Sequence, residues 1–199
     1  MDIKESVLGR RSVRSYLEKE VSLEDIADIL EVARFSPSAA NTQNWKVIVV
    51  TDSKLRTEIA SICRSKEWMA EAPVHLVICN EYSKLSKMFE PLGKMFSIQD
   101  CAILATNIVN LAHAAELGTC WVGSFPPESI KKLLALPEDG VDPEIILTLG
   151  YSAEKPKVTK RKDISDFCYF DKWDKKDAKF KPKSPLDKIR EKFLDKIKK

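Results

Sequence analysis

Between Ser97 and Leu117 the chain presents apolar side chains on nearly every side of one helix: Ile98, Cys101, Ile103, Leu104, Ile108, Val109 and Leu111, with alanines between them. A helix that is apolar all round must be buried all round. A chain of 199 residues can build one domain with a sizeable core. Covering such a helix completely implies help from a second subunit. Gly118 is expected to stop it as a left-handed cap.

The elements before and after this helix alternate without a clean β-α-β rhythm. Residues 2 to 9 predict a short helix. Ser22, with Asp25 three residues on, caps a second helix with Ile26, Ile29, Leu30 and Ala33 inward. Asp52 or Ser53 starts a third, with Leu55, Ile59 and Ile62 inward, and Pro127 opens a short one. The apolar runs Lys46 to Thr51, Val74 to Cys79, Thr119 to Phe125 and Glu144 to Tyr151 read as strands. Residues 81 to 96 read as irregular or weakly helical. His75 is expected to be a packed core or edge histidine rather than a base. The fold class that follows is α+β, a three-layer domain with a mixed central sheet.

Charge and cysteine usage narrow the function. The 33 basic and 30 acidic side chains leave a net charge of +3, which implies no bulk nucleic-acid footprint. No apolar run is expected to reach the length of a membrane span, and the N-terminus lacks a signal-peptide pattern. Five cysteines without a CxxC predict reduced core thiols in a cytoplasmic protein. With two histidines, neither beside a cysteine, no metal site is expected.

Two stretches carry candidate chemistry. In Arg10-Arg11-Ser12-Val13-Arg14, an extended backbone sends Arg10, Ser12 and Arg14 to one face. Two guanidinium forks around a hydroxyl suit a phosphate. A solvated basic loop would have the same composition. The second stretch, Ser36-Pro37-Ser38-Ala39-Ala40-Asn41-Thr42-Gln43-Asn44-Trp45, separates a helix from a strand. Pro37 stiffens it, while Ser38, Asn41 and Gln43 bring donors and acceptors. Such groups can satisfy a ligand or merely the loop's own backbone. The sequence contains no GxGxxG, Walker loop, GxSxG or HExxH.

Four pieces in order resemble the nitroreductase family of FMN-dependent oxidoreductases: Arg10 to Arg14; Ser36-Pro37-Ser38 through Asn41, Gln43 and Trp45; Gly118-Thr119-Cys120-Trp121-Val122-Gly123; and Leu149-Gly150-Tyr151 followed by Lys160-Arg161-Lys162. The resemblance spans residues 1 to 175. It implies an intertwined homodimer with FMN at the interface and NADH or NADPH as electron donor. Arg10 and Ser12 would hold the phosphate and ribityl chain, within a run that includes Arg11. Arg14 would lie near the pyrimidine end of the ring. Pro37, Ser38 and Ala39, with Asn41 in the same loop, would come from the other subunit. Backbone at Val122 and Gly123 would reach flavin N5 and O4, and Arg161 with Lys160 or Lys162 would complete the phosphate site. The family passes hydride through flavin N5 to nitroaromatics, quinones or similar flat acceptors. Alternatives are a non-catalytic flavin-binding or storage protein and a specialised dehalogenating or flavin-fragmenting member. Two departures bear on subgroup: Ser65-Lys66-Glu67-Trp68 contains no Asn, and Asn44 stands where many members have Pro.

Residues 176–199 are expected to form a basic extension. Its amphipathic helix is capped at Ser184 and carries Leu186, Ile189, Phe193 and Ile197 on one face.

Overall fold

The computed structural model describes residues 1–63, 66–177 and 179–180. The expected C-terminal helix lies outside them. The chain divides into two compact units, Met1–Pro156 and a second that begins at Lys157.

The first unit holds α1 (Ile3–Gly9), α2 (Leu23–Ala33), β1 (Trp45–Val50), α3 (Ser53–Ile62), β2 (Val74–Glu81), α4 (Ser83–Met88), α5 (Gly93–Ala114), β3 (Gly118–Val122), α6 (Pro127–Leu133) and β4 (Val141–Gly150). Local chemistry starts most of these where expected. Ser22 Oγ accepts the Asp25 N–H, and Asp52 Oδ1 accepts the Leu55 N–H. Asp2 and Glu5 form a reciprocal capping box on α1.

The sheet is four-stranded in the order β1-β2-β4-β3. One face packs α2 and α5 through Ile26, Ile29, Leu104 and Ile108 onto Leu76, Ile78, Leu147 and Leu149. The other packs α3 and α6 through Ile59 and Ile130 onto Val77, Cys79, Val122 and Ile146. These are the three expected layers. Central strand β2 is covered on both faces, which is why it reads as a continuous apolar run. Each fully buried Leu or Ile here stabilises by roughly 1.5–3 kcal/mol.

Four expectations are corrected. The four strands pair antiparallel throughout rather than as a mixed sheet, and among the described residues parallel pairing is confined to the isolated bridge between Ser12 and Thr119. The chain between β1 and β2 comprises α3 and a 3-10 turn, Glu67–Glu71, and returns the strand in the opposite direction. Helix α5 begins at Gly93, ahead of the apolar run. By length and composition this helix is long and apolar enough to cross a membrane, although it serves here as the core helix over the sheet. Gly118 does not cap it either. Glu116 takes the left-handed φ of 63°, and Gly118 opens β3.

His75 is fully buried. Its Nε2–H donates to the Met69 carbonyl at 2.8 Å, and burial holds its pKa down at about 4. All five cysteines are free thiols, four of them buried. In the second unit, α7 (Ile164–Phe167) is started by an Asp163 capping box, and Tyr169 packs against Trp173 with centroids 4.8 Å apart.

Candidate functional site

Paired glycines make the groove in which the first candidate stretch lies. Gly118 and Gly150 face each other across β3 and β4. A Cβ on Gly118 would meet Val13 Cγ2 at 2.8 Å, and one on Gly150 would meet Tyr16 Cδ1 at 2.9 Å. The backbone from Ser12 to Leu17 therefore sits directly on the sheet. Val13 N–H donates to Thr119 O, and Leu17 N–H to Tyr151 O, each at 2.9 Å. Tyr16 is buried beneath it, its hydroxyl 2.6 Å from Thr148 Oγ1 and 2.8 Å from the Val13 carbonyl that it donates to. Burial raises the Tyr16 pKa, so the phenol stays protonated.

With the backbone held, the side chains sort by face. Ser12 bonds the Cys120 thiol, and the cations of Arg14 and Arg10 act on the same thiol. Burial outweighs all three and raises its pKa. Arg10 and Arg14 thus lie within electrostatic reach of Cys120 on β3, and Arg10 with Arg11 within electrostatic reach of His113 on α5. Arg11 turns the other way and caps α1, its Nη1 donating to Leu8 O at 2.7 Å and Arg10 O at 2.8 Å. Arg14 also lies over the Trp68 ring, 5.8 Å from its centroid.

At the end of β3, Val122 is buried and Gly123 exposed. Lys66 Nζ donates to the Ser124 carbonyl at 2.9 Å and to Cys63 O at 3.1 Å. It ties the turn containing Trp68 to the chain just past Gly123. Sequence reasoning gave Lys66 no role. The lysine following a helix end was visible, but its long-range partner was not.

The second stretch is held differently. Pro37 and Asn41 are exposed, and Ser38 and Ala39 are half-buried. Ala40, Asn41 and Gln43 take left-handed φ values of 49°, 53° and 49°. Ser38 Oγ accepts the Gln43 N–H at 3.0 Å. Helix α5 supplies the anchors: Asp100 accepts the Ala39 N–H at 3.0 and 3.1 Å, Asn107 Nδ2 donates to Ser36 Oγ at 2.7 Å, and Ser97 bonds Asn44 Nδ2. These α5 residues were also missed. Their signal was a polar stripe, Ser97, Asp100 and Asn107, at helical spacing within an apolar helix. Burial raises the Asp100 pKa against the lowering effect of the Ala39 N–H.

Within one chain the two stretches stand apart. The loop is tethered at Asp100, whereas Arg10 acts electrostatically on His113. Thirteen residues of helix separate those two positions, roughly 20 Å along the axis. A shallow depression of about 250 Å³ lies on α5 between them, lined by Ala102, Ile103, Thr106 and Asn107. Lys160 and Arg161 belong to the second unit and are exposed, with Arg161 Nη1 donating to Thr159 Oγ1 at 2.5 Å.

The nitroreductase family profile matches residues 7–66 and 63–151. A protein of Methanothermobacter thermautotrophicus, provisionally named NADH dehydrogenase/NAD(P)H nitroreductase, is 34% identical over 177 residues, covering 87% of this chain and 88% of its own. An FMN reductase [NAD(P)H] of Bacillus subtilis is 27% identical over 175 residues, covering 79% and 70%. Among solved structures, an FMN-dependent nitroreductase of Clostridium difficile R20291 superposes with a TM-score of 0.73 at 27% identity, covering 85% of this chain and 99% of its own.

Proposed function

The chain belongs to the nitroreductase family, and from that premise we propose that it is an FMN-dependent oxidoreductase that uses NADH or NADPH to reduce flat acceptors such as nitroaromatics and quinones. The observation that carries this reading is that Arg10, Ser12 and Arg14 all act on Cys120, on the strand whose end leads into the exposed Gly123.

The donor set fits the cofactor. Guanidinium forks match phosphate oxygens, and a hydroxyl matches a ribityl chain. When bound, FMN supplies the redox chemistry, accepting hydride from the nicotinamide and passing it to the acceptor. The protein's part is to bind and orient. Arg10 and Ser12 hold the phosphate and ribityl end, with Lys160 and Arg161 completing it. Arg14 provides positive charge at the pyrimidine end. Arg11 supports the run from behind by capping α1. Backbone at Val122 and Gly123 would serve flavin N5 and O4. We take the flavin-binding part to run from residue 1 to residue 175.

We assign Pro37, Ser38, Ala39 and Asn41 to the flavin of a second copy in a homodimer. Two observations support this. The loop and the arginine run occupy opposite ends of one α5, and α5 leaves Met95, Ile98 and Ile103 at 45%, 39% and 37% exposure in the single chain. Reduced thiols support a cytoplasmic location.

The deciding experiment is colour followed by turnover. The purified protein should be yellow and release FMN on denaturation. It should oxidise NADH or NADPH in the presence of menadione or nitrofurazone. Protein that binds FMN but is reduced by neither donor would assign the chain to flavin storage. Colourless protein that takes up no FMN would remove the flavin reading altogether.

A further inference from the structure

Asp100 is an anomaly in α5. It is 3% exposed, in a helix whose buried neighbours include Cys101, Leu104 and Ile108. Desolvating a carboxylate is costly, and a leucine would suit the surroundings better. What the carboxylate contacts is the Ala39 N–H, within reach of both oxygens at 3.0 and 3.1 Å.

The group it holds belongs to a strained loop. Ala40, Asn41 and Gln43 have positive φ although none is glycine. Such conformations persist only when surrounding structure imposes them. The loop's own bonds, Thr42 Oγ1 to Ala39 O at 2.9 Å and Gln43 N–H to Ser38 Oγ at 3.0 Å, close it on itself but do not fix it to the body. Besides the Glu81 N–H, which donates to Asn44 O at 2.7 Å where the loop enters β1, fixing falls to Ser97, Asp100 and Asn107, which stand on one side of α5 and reach Asn44, Ala39 and Ser36 in turn. Asp100 has the central position and contributes the charged acceptor, the stronger kind of hydrogen bond.

We propose that Asp100 is a positioning residue of the shared flavin site: by holding the Ala39 N–H it fixes the Pro37-Ser38-Ala39 backbone that one subunit presents to the flavin of the other. The inference rests on the FMN reading above and adds to it a residue that never touches the cofactor.

The test starts from wild-type protein shown to bind FMN and to oxidise NAD(P)H. Failure at that point overturns the flavin reading itself. With the holoenzyme established, Asp100→Leu should fold as a dimer of wild-type circular dichroism, bind FMN at least tenfold more weakly and lose kcat. Asp100→Asn, which keeps an oxygen for the Ala39 N–H, should recover most of the affinity. Ala39→Pro removes the same hydrogen bond from the loop side and should weaken FMN binding as Asp100→Leu does. Pro is compatible there because the preceding Ser38 is extended, at φ −143° and ψ 155°. The double variant should be no worse than either single one. If Asp100→Leu does not fold, Ala39→Pro decides the matter. A mixed dimer of Asp100→Leu with Arg10→Glu should regain activity at one site, because both lesions fall on the other.

Wild-type FMN affinity in Asp100→Leu, or in Ala39→Pro, would overturn the proposal. So would an Asp100→Asn protein as impaired as Asp100→Leu. An inactive mixed dimer would place the effect of Asp100 on its own chain's flavin, which also overturns it.

Discussion

The arginine run at residues 10–14 and the loop at residues 36–44 both present polar groups rigidly, by opposite means. The run is fixed through its backbone, laid on a groove of glycines and bonded to Thr119 and Tyr151. Its side chains at Arg10, Ser12 and Arg14 are left to act outward. The loop is fixed through side chains of another element, with its backbone bent into left-handed conformations. What it presents is backbone, Pro37 and a hydroxyl. A segment held by backbone bonds tolerates side-chain change, since every residue but proline carries the same N–H. A segment held mainly by three particular side chains tolerates it less. The first arrangement suits a charged grip on phosphate; the second suits a shaped wall.

Mixed dimers break the comparison most sharply. Arg10→Glu and Ser38→Trp should each be inactive as homodimers, the first through repulsion of the phosphate and the second through a blocked ring pocket. Coexpressed, they should yield heterodimers with about half the wild-type sites, by two-fold symmetry. A purified heterodimer that stays inactive would place both regions on one chain's flavin.

Acid should loosen the turn that packs beneath the arginine run. His75 holds the Met69 carbonyl in the turn that carries Trp68, and it is neutral in the fold with a pKa near 4. The unfolded chain binds that proton near 6.5. The contribution is therefore whole above pH 6.5 and is lost as the pH falls towards 4, by about 3 kcal/mol in all. Urea midpoints measured across this window should fall for the wild type and change less for His75→Gln.

Arg10→Ala and Arg161→Ala should each weaken FMN binding ten- to a hundred-fold, since a charge-assisted hydrogen bond contributes roughly 1.5–3 kcal/mol. Arg10→Lys should recover part of this, because an ammonium lacks the planar fork. Fluorescence titration of FMN reads both, and unchanged affinity in the alanine variants would remove these residues from the phosphate grip. The smallest effect is expected from Tyr16→Phe. It deletes the bonds to Val13 and Thr148 yet leaves the backbone bonds to Thr119 and Tyr151 in place. About 1 kcal/mol of stability should go, with FMN affinity within threefold of wild type. A tenfold loss would mean that the buried hydroxyl, rather than the backbone, holds the run.

Much of the fold, and the candidates for the site, could be read from the chain. Alternation puts Arg10, Ser12 and Arg14 forward as one candidate face, because side-chain direction in an extended segment has period two. Periodicity gave the inward faces of α2 and α3, and β2 announced its double burial by an unbroken apolar run. Capping residues placed helix starts at Leu23 and Ser53, since the orphan N–H groups of a first turn are satisfied locally. Tertiary structure decided whatever depended on a distant partner. That Asp100 meets Ala39, that Lys66 meets Ser124, and that Gly118 makes room for Val13 instead of capping a helix all join residues far apart in sequence. Strand direction belongs to the same class, because pairing follows how the intervening helices return the chain. Sequence alone determined which side chains were available and which way each local segment turns them. Only the fold decided which of them meet, because a hydrogen bond or a close packing contact is set by distance in space, and propensity and periodicity act over a few residues.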